Sequence, residues 1–414
     1  MVAYHYPPEG MSSGVLRTLK FSKYLPDHGW TPHVLTLKES FYPVRDDGLL
    51  KEIRPEVVVH RTPGLDSSRH LAINGHYLSA LSVPDCAVSW LPFGFARGLR
   101  VIKNEGIHAL YSTSPQPTAH LIAASLRVVT KLPWIADFRD PWIEAGAHPR
   151  PRSVRYRVEA ALESLVMHRA SRITVTTDPF RCEILARYPD LSPEHVTVIF
   201  NGFDEADFTT LRELGRHDRF EVLHAGLVTP DYRDPFPFLR AAKACLDRRT
   251  LRRDDLRITF QGAGSYVSSP VFSARVQELG LGDLVRVVGR LQYRESLQRI
   301  MDATILLLIQ ASDDTRTLIP AKAFEYLRAG RPILALTYEG ATADLVRQAR
   351  AGVVADPRTP PALEAAIETL YRRWRTGSSS RGADPHLIRR FERATLTSQL
   401  AASLDSVTGH ALVD

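Results

Sequence analysis

Cysteine is scarce: there are three in 414 residues. Cys86, Cys182 and Cys245 form no Cys-X-X-Cys pair and have no histidine at metal-ligand spacing, which excludes a disulfide-stapled domain and argues against a zinc or redox centre. All three are expected as small buried hydrophobes. Long apolar runs are also missing. The longest lies near residues 303–309, far short of the roughly 20 residues that span a bilayer, and the first eight residues hold no apolar core of signal-peptide length. The chain is therefore expected in the cytoplasm, at most peripheral at the inner face of the membrane. There is no Gly-Lys-Ser/Thr phosphate loop and no Gly-X-Gly-X-X-Gly after a strand, so an NAD-dependent oxidoreductase is disfavoured. Asp-X-Asp is absent as well, and no metal clamp on a diphosphate is indicated.

What is present is an ordinary globular composition, 44% hydrophobic and 24% charged, at a length that suggests two domains. The formal charge of +7 invites a nucleic-acid partner, but the excess divides almost evenly between the two halves, and neither half is a basic domain. The local exception is residues 150–172, where Arg150, Arg152, Arg155, Arg157, Arg169 and Arg172 face only Glu159 and Glu163. This stretch reads either as a solvated helix face or as a contact with an anionic membrane surface.

Short β-branched runs alternate with helical patterns, the signature of βα units on a parallel sheet. Strands are predicted at 2–4, 33–37, 57–61, 109–112, 134–137, 172–176 and 196–200, then at 221–225, 257–261, 285–288, 305–309, 332–335 and 352–354. Helices are predicted over 13–28, 117–129, 154–168, 235–247 and 321–329, with a last one from 385 to about 407.

In open parallel sheets ligands bind beyond the carboxyl ends of strands, so the loops there are the candidate sites. In the first, Pro7-Pro8-Glu9-Gly10-Met11-Ser12-Ser13-Gly14, Gly10 and Gly14 let backbone N–H groups approach an anion at a helix start, although a plain turn accounts for them equally well. Farther on, a helix opens at Pro320, carries Lys322 and Glu325 at i, i+3 and stops at Gly330. That pair is either a surface ion pair or a cation for a diphosphate beside a carboxylate for ribose hydroxyls, and its place after a strand favours the second. Asp137, Arg139 and Asp140, between Phe138 and Trp142, suit a polar acceptor, with either Asp as general base; an internal salt bridge of Arg139 is the alternative. His120, in the first turn of its helix, reaches toward a donor sugar or is simply a core histidine. Gly289 and Arg290 follow a strand and can enclose a base.

Tyr6-Pro7-Pro8-Glu9-Gly10 with Leu16-Arg17 and Lys20-Phe21, Tyr111-Ser112-Thr113-Ser114-Pro115, the 137–142 stretch, Asn201-Gly202-Phe203-Asp204 and the Lys322 to Pro332 helix occur in an order that resembles the retaining GT-B glycosyltransferases. More narrowly they are similar to the family 4-like group of bacterial cell-envelope polysaccharide and natural-product pathways. The resemblance implies an α/β fold of two Rossmann-like doubly wound domains facing across a cleft. Residues 1–203 would take the acceptor, 204–384 the nucleotide-sugar donor, and 385–414 would be a helix packing back across both. It implies a nucleotide-sugar, UDP-linked, as co-substrate with no bound cofactor, and a polysaccharide, lipid-linked or small-molecule acceptor. It also implies retention of anomeric configuration without a metal. By the same resemblance Glu325 binds the ribose, and Lys322 lies near the diphosphate with the turn of Ile319 and Ala321. Gly226 opens the loop facing the donor, and Arg233 is the phosphate-binding arginine. The family's first glutamate, eight positions before Glu325, is Thr317 here, so that by the same resemblance its sugar contact is either lost or taken up by Asp313, Asp314 or Thr315.

Two other classes share the architecture, a nucleotide-sugar 2-epimerase and a non-catalytic binding subunit. With the charge divided between two such domains, nucleic acid is not needed as a partner.

Overall fold

The computed structural model describes residues 1–10, 14–67, 82–143, 153–212, 218–377 and 382–409. They form two compact units. The first is Met1–Phe200 joined by the chain from Arg393 onward, and the second is Asn201–Glu392.

Unit 1 is a seven-stranded parallel sheet in the order β3-β2-β1-β4-β5-β6-β7. The strands are β1 (Val2–Ala3), β2 (His33–Leu37), β3 (Val58–Thr62), β4 (Leu110–Thr113), β5 (Trp134–Phe138), β6 (Arg172–Val175) and β7 (Val196–Val198). Helices α1 (Gly14–Tyr24), α2 (Trp90–Glu105), α3 (Thr118–Thr130), α4 (Val154–Arg169) and α5 (Asp178–Arg187) connect them. Unit 2 has six parallel strands in the order β10-β9-β8-β11-β12-β13: β8 (Phe220–Ala225), β9 (Leu256–Gln261), β10 (Val285–Val288), β11 (Ile305–Gln310), β12 (Ile333–Thr337) and β13 (Gly352–Ala355). Its helices are α6 (Phe236–Asp247), α7 (Pro270–Glu278), α8 (Tyr293–Asp302), α9 (Ala321–Ala329), α10 (Ala341–Gln348) and α11 (Pro360–Arg375). Strand β11 shows how helices cover both faces of the sheet: Ile305–Gln310 is buried at every residue and apolar except for Gln310. Each sheet with its helices is a Rossmann-like doubly wound domain. In each sheet the strand order reverses once, between β1 and β4 and between β8 and β11, and such reversals leave a crevice beyond the carboxyl ends of the flanking strands.

The segment expected as one helix from residue 385 is three elements. These are α12 (Pro385–Ile388), a 3₁₀ turn (Arg389–Phe391) and α13 (Arg393–Thr408), separated by an extended Glu392. Two different cores claim its apolar residues. Phe391 stacks edge-on to Phe324 with ring centroids 5.2 Å apart, whereas Leu396, Leu400 and Leu404 join Phe21, Tyr111 and Ile135. A straight helix cannot serve both, so the chain breaks where it changes units. The cysteines also depart in part from expectation: Cys245 is buried, but Cys86 is half-buried and Cys182 exposed, and all three are free thiols.

A buried ion pair fastens the parts of unit 1. Arg17, on the inner face of α1, donates from Nε and Nη2 to the two carboxylate oxygens of Asp137 at 2.9 and 2.7 Å. Asp137 also accepts hydroxyl bonds of 2.7 Å from Tyr111 and Thr113 of β4 and from Thr174 of β6. The remaining Arg17 donors reach the carbonyls of Ile199 (2.9 Å) and Phe200 (2.7 Å), the last residues of the unit before the chain crosses to unit 2. Burial alone pushes the Asp137 carboxyl up, yet the guanidinium and hydroxyl donors outweigh it and hold it well below the usual carboxylate range.

Removing one partner strands the other charge. Asp137→Ala is expected to cost about 3–5 kcal/mol in urea unfolding, and an Arg17→Met, Asp137→Leu double variant markedly less than the two single losses combined. A depressed folded-state pKa gives stability that is fully present above the unfolded value near pH 4, so the wild-type advantage over the double variant should shrink as pH falls below about 4.

Candidate functional site

The reversal between β8 and β11 gathers most of the donor-side candidates. Gly226 follows β8 with φ +148°, a backbone conformation that L side chains rarely adopt. A Cβ placed there would lie 3.9 Å from both His224 Nε2 and Lys322 Cγ, so this backbone, the histidine ring and the lysine stem border one space. Tyr326 of α9 holds the strand end: its hydroxyl oxygen accepts the Ala225 amide at 2.8 Å. Lys322 sits at the second position of α9, a helix that begins at Pro320 with no side-chain cap. Its Nζ donates to Glu325 Oε2 at 2.6 Å, and the carboxylate is buried while the ammonium is only half-buried. The ion pair of the first alternative is formed, and it lies at the carboxyl edge of the sheet beside a helix N-terminus with no side-chain cap.

Arg233 reaches both strand ends of the reversal. Its Nε meets Gln310 Oε1, the last residue of β11, and Nη1 meets the carbonyl of Leu227, each at 3.4 Å. The Ala311 amide donates to the Tyr232 carbonyl at 2.9 Å, which ties the loop after β8 to the loop after β11. The latter loop is pinned from below. Gly340, at φ +152°, lets the Arg316 carbonyl come within 2.4 Å of where a Cβ would stand, and that carbonyl accepts the Ala341 amide at 2.8 Å. Thr342 Oγ1 donates to the Leu318 carbonyl at 2.8 Å. Thr317, Ile319 and Ala321 are thereby set half-buried along the approach to α9. Of the residues expected to replace the missing glutamate, Asp313 pairs with Arg316 at 2.6 Å and Thr315 closes its own turn on Ser312. Gly289 and Arg290 are exposed at the end of the edge strand β10, two strands from β8.

His224 and Tyr326 were not singled out in the sequence. His224 Nδ1 donates to the Leu307 carbonyl at 2.9 Å, which fixes the proton on Nδ1 and leaves Nε2 as a lone-pair acceptor facing Gly226. Burial lowers its pKa to about 4. A histidine two residues before a loop glycine was the available signal, because alternate strand residues share a face.

Unit 1 corrects several expectations. With five donors on its two oxygens and no exposed surface, Asp137 is the hub of the Arg17 network, not a base waiting for a proton. Arg139 is also buried and serves an internal role, donating from Nη1 to the Gly14 carbonyl at 2.6 Å. Gly10 is a packing glycine: a Cβ would stand 2.8 Å from the Asp46 amide nitrogen, and its own N–H donates to the Val44 carbonyl at 2.9 Å. That amide is therefore not offered to an anion. Gly14 opens α1, while residues 11–13 of the same loop lie outside the described residues. His120 is fully buried, stacked on Phe138 at 4.6 Å, with Nδ1 2.7 Å from Ser112 Oγ, itself the acceptor of Trp134 Nε1 at 2.8 Å. Burial lowers its pKa to about 3, and Nε2 has no hydrogen-bond partner among the described residues. Asp140 remains exposed at the end of β5. A cavity of about 590 Å³ in this unit lies at the other end of the sheet, lined by residues such as His33 and Leu110 that open β2 and β4.

Residues 14–202 match the glycosyl transferase 4-like domain, and residues 219–373 match the glycosyl transferases group 1 domain. The chain is a glycosyltransferase of the GT-B type. Solved structures share its fold at low sequence identity. The sucrose-phosphate synthase of Thermosynechococcus elongatus is 15% identical, with a TM-score of 0.68 over 99% of each chain. Anabaena HepE, solved in complex with UDP and glucose, is 16% identical, with a TM-score of 0.65 over 98% of this chain and 99% of its own. WaaG, a glycosyltransferase involved in lipopolysaccharide biosynthesis, is 13% identical, with a TM-score of 0.60 over 99% and 100%. No protein of curated function matches the sequence. Among the described residues of this glycosyltransferase, no helix is long and apolar enough to cross a membrane.

The buried histidines give a pH signature. Their folded pKa values near 3 and 4 lie below the unfolded value of about 6.5. The unfolded chain therefore takes up protons that His120 and His224 refuse, and stability should fall as pH drops from about 6.5 toward 4. Denaturant midpoints across that range should move down. The loss should be smaller in His224→Gln, and the His224 ring should remain neutral at pH 5 by nitrogen NMR.

Proposed function

We propose that the enzyme moves a sugar from a UDP-linked donor, bound by unit 2, to a sugar, lipid-linked or small-molecule acceptor met by unit 1, with retention of configuration and without a metal. One observation carries the donor assignment: Lys322, Glu325, Gly226 and Arg233 meet at the β8–β11 reversal, where an open parallel sheet binds nucleotides. Cleaving a sugar–diphosphate bond builds negative charge on the leaving phosphate, and cations and helix N-termini aimed there in advance lower the barrier by several kcal/mol. In this reading Lys322 Nζ and the Arg233 guanidinium meet the diphosphate together with the first amides of α9. Glu325 steadies Lys322 through Oε2 and accepts ribose hydroxyls through Oε1. Gly226 keeps the approach clear of a side chain. The UDP and glucose bound to HepE, a protein of the same fold, support a UDP-sugar as donor. The sequence has no Asp-X-Asp, which supports transfer without a metal. On the acceptor side Asp140 is the exposed carboxylate of the 137–142 stretch, and in this reading it meets the polar acceptor.

Purified protein incubated with UDP- and GDP-sugars should release free nucleotide, faster with UDP-sugars, and transfer sugar when a competent acceptor is added. An epimerised nucleotide-sugar as the product would move the reading to a 2-epimerase, and silence with all donors and acceptors would reduce the protein to a binding subunit. Lys322→Ala and Glu325→Ala should each lower kcat/KM at least about tenfold, roughly 1.4 kcal/mol of transition-state stabilisation. Wild-type kinetics in either variant would refute the donor assignment.

A further inference from the structure

Helix α4 is asymmetric in an unusual way. Its only carboxylates, Glu159 and Glu163, both point inward and are buried. Glu163 receives Arg187 and Tyr188 at 2.9 Å and the Ile143 amide at 2.9 Å, while Glu159 receives Arg155 at 2.8 Å. The outer face is left with apolar and basic residues. Val154, Val158, Ala161 and Leu165, spaced 4, 3 and 4 apart, form one exposed stripe along the helix. At about 100° per residue, Arg157 and His168 flank it on one side and Arg155 and Arg169 on the other.

The neighbouring α3 extends this surface. Its sequence has no acidic residue, and its end is tied to the end of α4 by Arg127, which donates from Nη1 to Ser171 Oγ at 2.9 Å. Val128 and Val129 there are 55% and 59% exposed, and Lys131 follows them. Single exposed aliphatics are commonplace. Here, however, five of the twelve exposed large hydrophobic side chains among the described residues fall on two adjacent helices, against 76% exposure at Val154 and over 40% at Val158 and Leu165. The exposed carboxylate that pairs with α4 is Asp190, bound to His168 at the border of the stripe. Of the arginine-rich sequence stretch, Arg150 and Arg152 lie outside the described residues, and Arg172 lies in β6, where it reaches Ser406.

We propose that the outer face of α4, with the end of α3, is a docking surface for an anionic bilayer. Aliphatic side chains at the centre enter the interfacial region, and the arginines at the border meet lipid phosphates. The charge pattern selects this occupant. A nucleic acid would be served by the arginines but not by a central aliphatic stripe, and a neutral apolar partner would leave the flanking arginines unmatched. The inference concerns where the enzyme works and does not depend on which sugar it moves, so its test needs no activity.

Purified protein should float with vesicles of equal parts phosphatidylcholine and phosphatidylglycerol at low salt, bind phosphatidylcholine vesicles far less, and be released from the anionic vesicles by added salt. Each basic group near such a surface contributes on the order of fivefold in binding, so the Arg157→Glu, Arg169→Glu variant should lose at least about tenfold in partitioning. Val158→Ser, Leu165→Ser should also weaken binding several-fold. All four positions are exposed, and unchanged thermal unfolding would establish that both variants fold. The proposal is overturned if the wild type stays in the aqueous phase with anionic vesicles. It is equally overturned if the serine variant partitions like the wild type, because attraction would then be simple ion exchange, as it would be toward RNA or an acidic protein.

Discussion

The Arg17–Asp137 pair is the constraint on which unit 1 depends. One guanidinium joins the first helix to strand β5 and holds the two carbonyls before the chain leaves the unit. The carboxylate at its other end gathers hydroxyls from the strands on either side. Desolvating two charges is expensive, and only saturation of their hydrogen-bonding capacity makes such a pair tolerable. That saturation is directional: five donors can converge on Asp137 only if β4, β5, β6 and α1 are in register. The pair therefore specifies an arrangement more than it adds net stability. The arrangement it specifies includes the carboxyl ends of β4 and β5, from which Asp140 projects.

Unit 2 solves the same architectural problem with neutral groups. The end of β8 is held by Tyr326 and by the His224 ring reaching β11, and burial keeps that ring uncharged at neutral pH. A unit that fixes its frame with neutral hydrogen bonds leaves Lys322 and Arg233 as the cations beside Gly226, where a diphosphate is proposed to bind.

The strands were legible because a parallel sheet covered on both faces demands buried apolar runs, and a run such as 305–309 is far too short to span a bilayer. The topology was legible for the same reason, since strand and helix alternate throughout. The Lys322–Glu325 pairing was legible because i, i+3 spacing on a helix that opens at a proline and closes at a glycine fixes its own geometry. What failed depended on distant convergence. Nothing near Asp137 in the sequence announces that residues 17, 111, 113 and 174 will surround it, so a buried hub read as a candidate base. Gly10 read as a ligand glycine because residues 44–46, which it actually packs against, are far along the chain. The last helix read as continuous because its apolar periodicity is continuous; only the assignment of its two parts to different cores breaks it at Glu392.

The pairing of Lys322 with Glu325 bears on how the proposed site stays poised. A lysine at the second position of a helix opposes the helix dipole, whose positive end favours anions there. Without compensation the ammonium would turn toward water. Glu325, one turn on and buried, supplies that compensation at 2.6 Å and keeps the cation at the strand edge in the absence of ligand. A diphosphate arriving at the same helix end gains from the dipole what Lys322 alone loses to it, so anion and lysine stabilise each other where either by itself would be poorly matched. The carboxylate then restrains the lysine from an already ordered position, which lowers the entropic cost of organising the site around the leaving phosphate.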